Sequence, residues 1–352
     1  MSEMTPPIPL QLLLGPTGHG VTAYGADIAA RVLAGEPEAR IVHAAGVREA
    51  ESAVAEAPRA HLHVTARLLG ASPEEAAEGL ERLASATRLS ITLHDLPQPS
   101  DGRMMARRVD AYRRMVEAAD GTVVNSRHEL ELVGEHLGDD HHAAVIPLGT
   151  RGGAAPALPS RVQSPPAGDL VVLIAGFIYP GKGHAEACRA AAAAVRLLRA
   201  EGHDVGVPIV RAIGGPSAGH EADVDDLRAA AGRDGVTFEV SGFLDDAAFA
   251  AALRAPGIPV AAHAHVSASR SMLDWIEAGR RPLVADSRYA AEMEALRPGL
   301  MTRYAADALP DLLADAWRRP ARTWLPDGAD LRPSLDDAAA QYVRWWRTMD
   351  AG

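Results

Sequence analysis

Along this chain, short apolar runs alternate with longer stretches in which apolar residues recur every three or four positions. The first pattern is that of strands buried on both faces. The second is that of amphipathic helices covering them. Ile8 to Leu14 reads as a strand that ends at Gly15-Pro16-Thr17-Gly18-His19-Gly20, and a helix is expected from about Ala23 to Leu33. Strands follow at Ala39 to His43, His61 to Thr65, Leu89 to Leu93, Gly121 to Val124 and Ala143 to Ile146. Helices are expected at Ser72 to Ala86, Arg103 to Ala118 and Arg127 to Leu137. Such alternation predicts a parallel sheet with helices on both faces, an α/β architecture.

From Gly149 to Gly168 the periodicity stops. RGGAAPALPSRVQSPPAG is rich in Pro, Gly, Ala and Ser and reads as an interdomain linker. The pattern then restarts, with strands at Asp169 to Ala175, Val207 to Ile213, Val236 to Val240, Pro259 to Ala262 and Pro282 to Ala285. Helices are expected at His184 to Ala200, Val224 to Ala231, Asp245 to Leu253 and Ser271 to Ala278. The predicted organisation is an N-terminal Rossmann-like domain over 1–150, a linker over 151–168 and a C-terminal Rossmann-like domain over 169–330. A last segment, 331–352, carries the helical pattern Leu335 to Met349 with Trp345-Trp346, and is expected to pack back on the N-terminal domain.

Composition agrees with this picture and narrows the chemistry. At about 150 residues per domain, 352 residues suggest two domains. Apolar residues at 47% and charged residues at 23% are globular values and exclude a disordered chain. No run of about 18 uncharged apolar residues occurs, so no membrane span is expected. The start, MSEMTPPIPL, lacks a basic region leading into an apolar one, so no secretory signal is expected. The lone Cys188 excludes an internal disulfide framework and a cysteine-based zinc site, and it suits a reducing, cytoplasmic setting. A net charge of −11, with no basic run beyond pairs such as Arg107-Arg108, argues against nucleic acid and anionic membranes as partners. Of 35 basic residues only Lys182 is a lysine, which fits GC-rich coding. That one lysine lies in the most motif-like segment of the chain, Gly181-Lys182-Gly183-His184.

Three small-residue loops carry candidate chemistry. Gly18-His19-Gly20-Val21-Thr22-Ala23 fits a relaxed G-x-G-x-x-A fingerprint, in which glycines let backbone amides approach a phosphate. A nicotinamide site would also place an acidic residue about 20 positions on, where His43-Ala44-Ala45 stand, so a tight strand-to-helix turn explains the glycines as well. Gly176-Phe177-Ile178-Tyr179-Pro180-Gly181-Lys182-Gly183 matches G-x-x-x-x-G-K, but Gly183 replaces the Mg²⁺-binding Ser or Thr of a nucleotide hydrolase. Ser267-Ala268-Ser269-Arg270-Ser271 opens a helix. It reads either as a cap or as an anion site in which helix amides and Arg270 meet a phosphate. The histidine pairs His61/His63, His263/His265 and His141-His142 lack an evident third ligand, and there is no D-x-D, so no metal site is expected.

In order, LSITLHDLP, GTVVNS, AAVIPLGT, DLVVLIAGFIYPGKGHAEA and WIEAGRRPLVADSRYAAEM resemble segments of glycosyltransferase family 4, retaining sugar-nucleotide enzymes. The resemblance covers most of the chain. It implies a GT-B fold, with two Rossmann-like parallel-sheet domains facing a cleft, the acceptor held by the first and the nucleotide by the second. Lys182 would hold the donor diphosphate and stabilise the leaving phosphate, where charge develops as the glycosidic bond breaks. Glu277 would accept hydrogen bonds from the ribose hydroxyls, and His94 would lie at the sheet edge near the reacting sugar. Gly18 and Gly20 would let backbone approach the sugar phosphate, and Ser126 closes a matching strand of the N-terminal domain. Gly214 with Gly215, and Gly242-Phe243-Leu244, resemble the loops around the base. Ser269, Arg270 and Ser271 would face the phosphates.

Two positions depart from the family. Phe177 stands where an Arg often follows the first glycine of the lysine loop, and Ser269 stands where the first of two glutamates spaced by eight would be. Arg270, next to that serine, is a candidate to replace the missing guanidinium. The implied activity is retaining transfer of a hexose-type sugar from a UDP- or GDP-linked donor to the hydroxyl of an unidentified acceptor, with no further cofactor. The alternative is a degenerate GT-B protein that binds a sugar nucleotide or a partner without catalysis. Oligomeric state stays open.

Overall fold

A computed structural model describes residues 7–138, 142–158, 168–217, 219–263 and 266–349. The chain divides into two compact units, one formed by Met1–Arg151 with Pro333–Gly352 and the other by Gly152–Arg332. The first unit holds strands β1 Leu10–Leu14, β2 Ile41–Ala44, β3 Arg59–Val64, β4 Arg88–Leu93, β5 Gly121–Val124 and β6 Ala143–Val145. The second holds β7 Leu170–Ala175, β8 Pro208–Ile213, β9 Thr237–Val240, β10 Ile258–Ala261, β11 Leu283–Ala285 and β12 Thr302–Tyr304. Among the described residues each unit is one six-stranded parallel sheet, ordered β2-β1-β3-β4-β5-β6 and β12-β11-β10-β7-β8-β9. Every strand pair in both is parallel, as the strand–helix alternation predicts.

Both sheets are doubly wound, and β7 shows why its sequence forces this. All six residues of LVVLIA are buried. Leu170, Val172 and Ile174 pack in one cluster with the alanine-rich helix His184–Ala200, while Val171, Leu173 and Ala175 pack in another with Leu253 and Trp275. A strand alternates its side chains between two faces, so an uninterrupted apolar run needs cover on both. Ala187, Ala191 and Ala194 on that helix are fully buried. Their small side chains let the helix lie close against the sheet.

The final helix, Leu335–Thr348, belongs to the N-terminal unit. Its Tyr342 hydroxyl lies 2.9 Å from Thr92 Oγ1, and Trp346 is buried beside the His61 ring at 5.1 Å. Ser334 and Asp337 close a capping box at its start.

The structure departs from the sequence pattern in three places. Residues 152–158 are not a free linker: Ala154 bridges Asp330, Ala155 N donates to Ala329 O at 2.8 Å, and Leu331 N donates to Gly153 O at 2.9 Å. The rest of the predicted linker, 159–167, lies outside the described residues. Thr302–Tyr304 is a three-residue edge strand, too short to register as an apolar run. The short helices Val47–Val54, Arg288–Leu296 and Leu309–Arg318 are also absent from the predicted elements.

Arg280 organises the base of the C-terminal unit. It is fully buried, donates to the carbonyls of Thr323 (3.2 Å), Leu253 (3.1 Å), Ala255 (2.9 Å) and Gly257, and stacks 4.2 Å from the centre of the Trp324 ring. It ties the segment 253–257, between the helix Asp246–Leu253 and β10, to Thr323. Arg280→Met leaves those carbonyls without a donor, so urea unfolding is expected to show a loss of about 3 kcal/mol or more. A loss below about 1 kcal/mol would show that water replaces the guanidinium.

Candidate functional site

In an open α/β sheet, ligands bind at the carboxyl ends of the strands, where neighbouring connections leave in opposite directions. In the C-terminal unit that point lies between β7 and β10. The loop after β7, Gly176 to Gly183, turns back under two close backbone approaches. Gly183 has φ +92°, and a Cβ there would lie 2.2 Å from Ala262 O. Gly214, after β8, has φ +146°, and its Cβ would lie 2.3 Å from Gly176 O. Only glycine fits either place. The loops after β7, β8 and β10 are therefore drawn together at one edge. The Gly242–Leu244 loop after β9 joins them through Phe243, whose exposed ring meets that of Phe177 at 5.8 Å.

Lys182 sits at the centre of this convergence and is 4% exposed. Its Nζ lies 2.7 Å from His263 Nε2, 3.1 Å from Ser271 Oγ and 5.9 Å from the centre of the Tyr179 ring. Burial pulls the ammonium down to about 7, and the carboxylate of Asp274 opposes that shift. Burial, and then the Lys182 charge, hold His263 well below the ordinary histidine range, so His263 is a neutral acceptor at neutral pH. The same causes push His184 down to about 3. Its ring packs edge-on to Phe238 at 5.8 Å.

The helix Arg270–Glu277 completes the edge. Ser269 caps it, accepting from Met272 N, and its hydroxyl lies 3.2 Å from Ser271 Oγ. Arg270 donates to Asp274 at 3.0 Å and to Glu277. This guanidinium is thus held along its own helix by two carboxylates, and the Glu277 carboxylate is held by Arg270. Leu244 is half-buried against the cluster around Trp275, and Gly214 is half-buried.

In the N-terminal unit the corresponding point lies between β1 and β3. Gly18, in the turn after β1, and Gly20, at the start of the helix that follows, are exposed, and a Cβ on either meets nothing within 4 Å. His19 caps the helix Gly20–Gly35, its Nδ1 accepting from Val21 N at 3.3 Å. His94 follows β4 and is buried. Its Nε2 lies 3.2 Å from His63 Nδ1 and its Nδ1 lies 3.4 Å from Asn125 Nδ2. Both ring nitrogens thus face protein partners. Tyr112 donates to the His94 carbonyl at 2.9 Å, and the next residue, Asp95, has φ 54°, alone in this region among the described non-glycine residues. Ser126 is fully buried and caps the helix Arg127–His136, accepting from Glu129 N at 3.0 Å.

The structure therefore brings Lys182, Ser269, Ser271, Gly214 and the Arg270–Glu277 pair to one sheet edge. Gly18, Gly20, His94 and Ser126 lie at the matching edge of the other unit. His263, Asp274, His63 and Asn125 join these groups without being singled out for such roles. The usable signals were positional: His263 is the second residue after β10, and Asp274 lies one helical turn beyond Arg270. His141 and His265, weighed as metal ligands, lie outside the described residues.

His61 completes a buried trio with His63 and His94. Its ring nitrogens lie 2.9 Å from Ser90 Oγ and 3.0 Å from Thr92 Oγ1. Burial, and then His94, push His61 down to about 3, while burial, and then His19, do the same to His94. Depressed histidines stabilise the fold above their unfolded value near 6.5 and lose that contribution as pH falls toward 3. Thermal unfolding followed at pH 7.5 and pH 5 is expected to show about 1–2 kcal/mol lost per histidine at the lower pH. His61→Gln, which keeps the hydrogen bonds but does not titrate, should flatten the profile. An unchanged slope in that variant would refute this assignment.

No protein-family model matches the chain, nor does any curated protein. Solved structures do. Anabaena HepE, crystallised with UDP and glucose, superposes with a TM-score of 0.64 at 15% identity, over 97% of this chain and 98% of that one. Sucrose-phosphate synthase from Thermosynechococcus elongatus gives 0.63 at 14% identity, over 98% and 94%. An α,α-trehalose-phosphate synthase (UDP-forming) from Burkholderia xenovorans, crystallised with glucose-6-phosphate, gives 0.52 at 12% identity, over 83% and 70%. At this identity the likeness speaks for architecture: the chain has the GT-B fold, with two Rossmann-like parallel α/β units.

Proposed function

We propose that the protein transfers a sugar from a nucleoside-diphosphate sugar to an acceptor hydroxyl, with the diphosphate bound at Lys182. One observation carries this reading. A buried ammonium stands at the strand ends of a doubly wound sheet, and its hydrogen-bond partners among the described residues, His263 and Ser271, are neutral. A cation held this way is a seat for an anion. The adjoining helix start at Ser269–Ser271 directs backbone amides to the same edge. The likeness to HepE, crystallised with UDP-glucose, supports the nucleotide sugar as ligand.

In the proposed reaction the bond between the anomeric carbon and the diphosphate breaks, and negative charge grows on the departing phosphate. Lys182 lowers that barrier by meeting the charge with a fixed cation. Following the family resemblance, the sugar is hexose-type, the donor UDP- or GDP-linked, and the anomeric configuration retained. Retention suits a displacement on one face, in which the leaving phosphate receives the acceptor's proton. The N-terminal unit is the proposed acceptor domain.

A second reading, binding without turnover, is favoured by two contacts. The Glu277 carboxylate, the expected ribose acceptor, is bonded to Arg270, and the Ser269 hydroxyl caps its own helix.

A thermal-shift panel of UDP, GDP, ADP, TDP and their sugar conjugates tests the proposal. A nucleotide at about 100 times its Kd should add about 2.7 kcal/mol of stability to the wild type, and the gain should vanish in Lys182→Ala. Release of the nucleoside diphosphate from the matching sugar conjugate, with an α- or β-product read by NMR, then establishes transfer and its stereochemistry. Binding without release would select the second reading, and no shift with any nucleotide would overturn transfer and leave a degenerate GT-B protein that binds a partner.

A further inference from the structure

The contact between Lys182 and His263 is unusual in what it lacks. Two basic nitrogens stand 2.7 Å apart in the interior, a distance that requires one hydrogen between them. While the lysine is charged it donates and the imidazole accepts, which places the histidine's own proton on Nδ1; once the lysine is neutral, either nitrogen can be the donor. A carboxylate in the position of His263 would hold the lysine charged at every physiological pH; a neutral imidazole does not.

The other groups facing Lys182 leave this balance in place. From its own loop comes the Tyr179 ring, and from the helix that follows comes His184, held neutral by burial. From the helix Arg270–Glu277 come Ser271, a neutral hydroxyl, and Asp274, whose carboxylate is bonded to Arg270. Arg270 is itself shared with Glu277. Among the described residues Asp274 is the group that favours the ammonium, and it is shared with Arg270.

We propose that Lys182 and His263 work as one hydrogen-bonded pair, with His263 the neutral positioning residue that lets the lysine lose its charge in the ligand-free protein, and that an arriving diphosphate restores the charge by drawing one proton from solvent. Burial holds the ammonium near 7, so at pH 8 the ligand-free lysine is mostly neutral. A diphosphate within hydrogen-bond reach favours the charged form. Binding above neutrality then takes up a proton, and affinity falls as pH rises. The inference rests on the reading that a diphosphate binds at Lys182.

Because Lys182 is the chain's single lysine, protein carrying ¹³C,¹⁵N-lysine gives one side-chain signal to follow against pH. The ligand-free wild type is expected to titrate near neutrality, and saturating UDP to raise the midpoint by about two units. Calorimetry at pH 8 in buffers of different ionisation enthalpy should show uptake of about one proton per UDP bound. His263→Gln, a neutral acceptor, should keep both results. His263→Glu should hold the lysine charged throughout and abolish the uptake.

A ligand-free midpoint near the ordinary lysine value of about 10.4 overturns the proposal. So does a midpoint that His263→Glu leaves unmoved, or one that ignores UDP, GDP, ADP and inorganic pyrophosphate alike. Pyrophosphate raising the midpoint where no nucleotide does would uphold the pair and refute the nucleotide reading. A nucleotide that binds without moving the lysine would do the reverse.

Discussion

The C-terminal unit is arranged around a lysine that has been taken out of water and given, among the described residues, neutral hydrogen-bond partners. Burying an ammonium costs several kcal/mol unless opposite charge repays it. Here Asp274 repays part, and it is divided between Lys182 and Arg270. The surrounding backbone has no freedom to relax, because Gly183 and Gly214 bring three loops to carbonyl contact. A side chain at either would push the loops apart and let water reach the lysine.

The N-terminal unit solves the same topological problem with opposite chemistry. Its sheet edge carries imidazoles, hydroxyls and a carboxamide, linked from Ser90 and Thr92 through His61 and from His63 through His94 to Asn125. Burial keeps these rings neutral, so they act as hydrogen-bonding groups and not as charges. Tyr342 and Trp346, from the far end of the chain, seal the trio from one side. The two units thus differ in what their buried polar groups carry: neutral hydrogen-bonding rings in one, a single lysine in the other.

Side-chain commitments also redistribute the roles expected at the helix Arg270–Glu277. A guanidinium one residue from Ser269 looked like a ready phosphate ligand. It instead lies along its own helix between carboxylates four and seven residues on. Spacing of this kind pairs side chains on one helical face whatever lies beyond the helix. The hydroxyls of Ser269 and Ser126 are likewise spent on capping, the commonest use of serine at a helix start.

Sequence alone determined the strand-and-helix alternation, the restart after residue 168 and the glycine-bounded loop that carries the only lysine. These are local properties: an apolar run of six residues such as Leu170–Ala175 is readable without knowing its neighbours. Short elements such as Thr302–Tyr304, and the pairing of residues 153–155 with 329–331, depend on partners far along the chain and left no local trace. Tertiary structure alone decided which groups meet at the strand ends. Lys182 and His263 are 81 positions apart, and His63 and His94 are 31 apart. Sheet order, not spacing, brings each pair within hydrogen-bond distance, and burial then sets its charge.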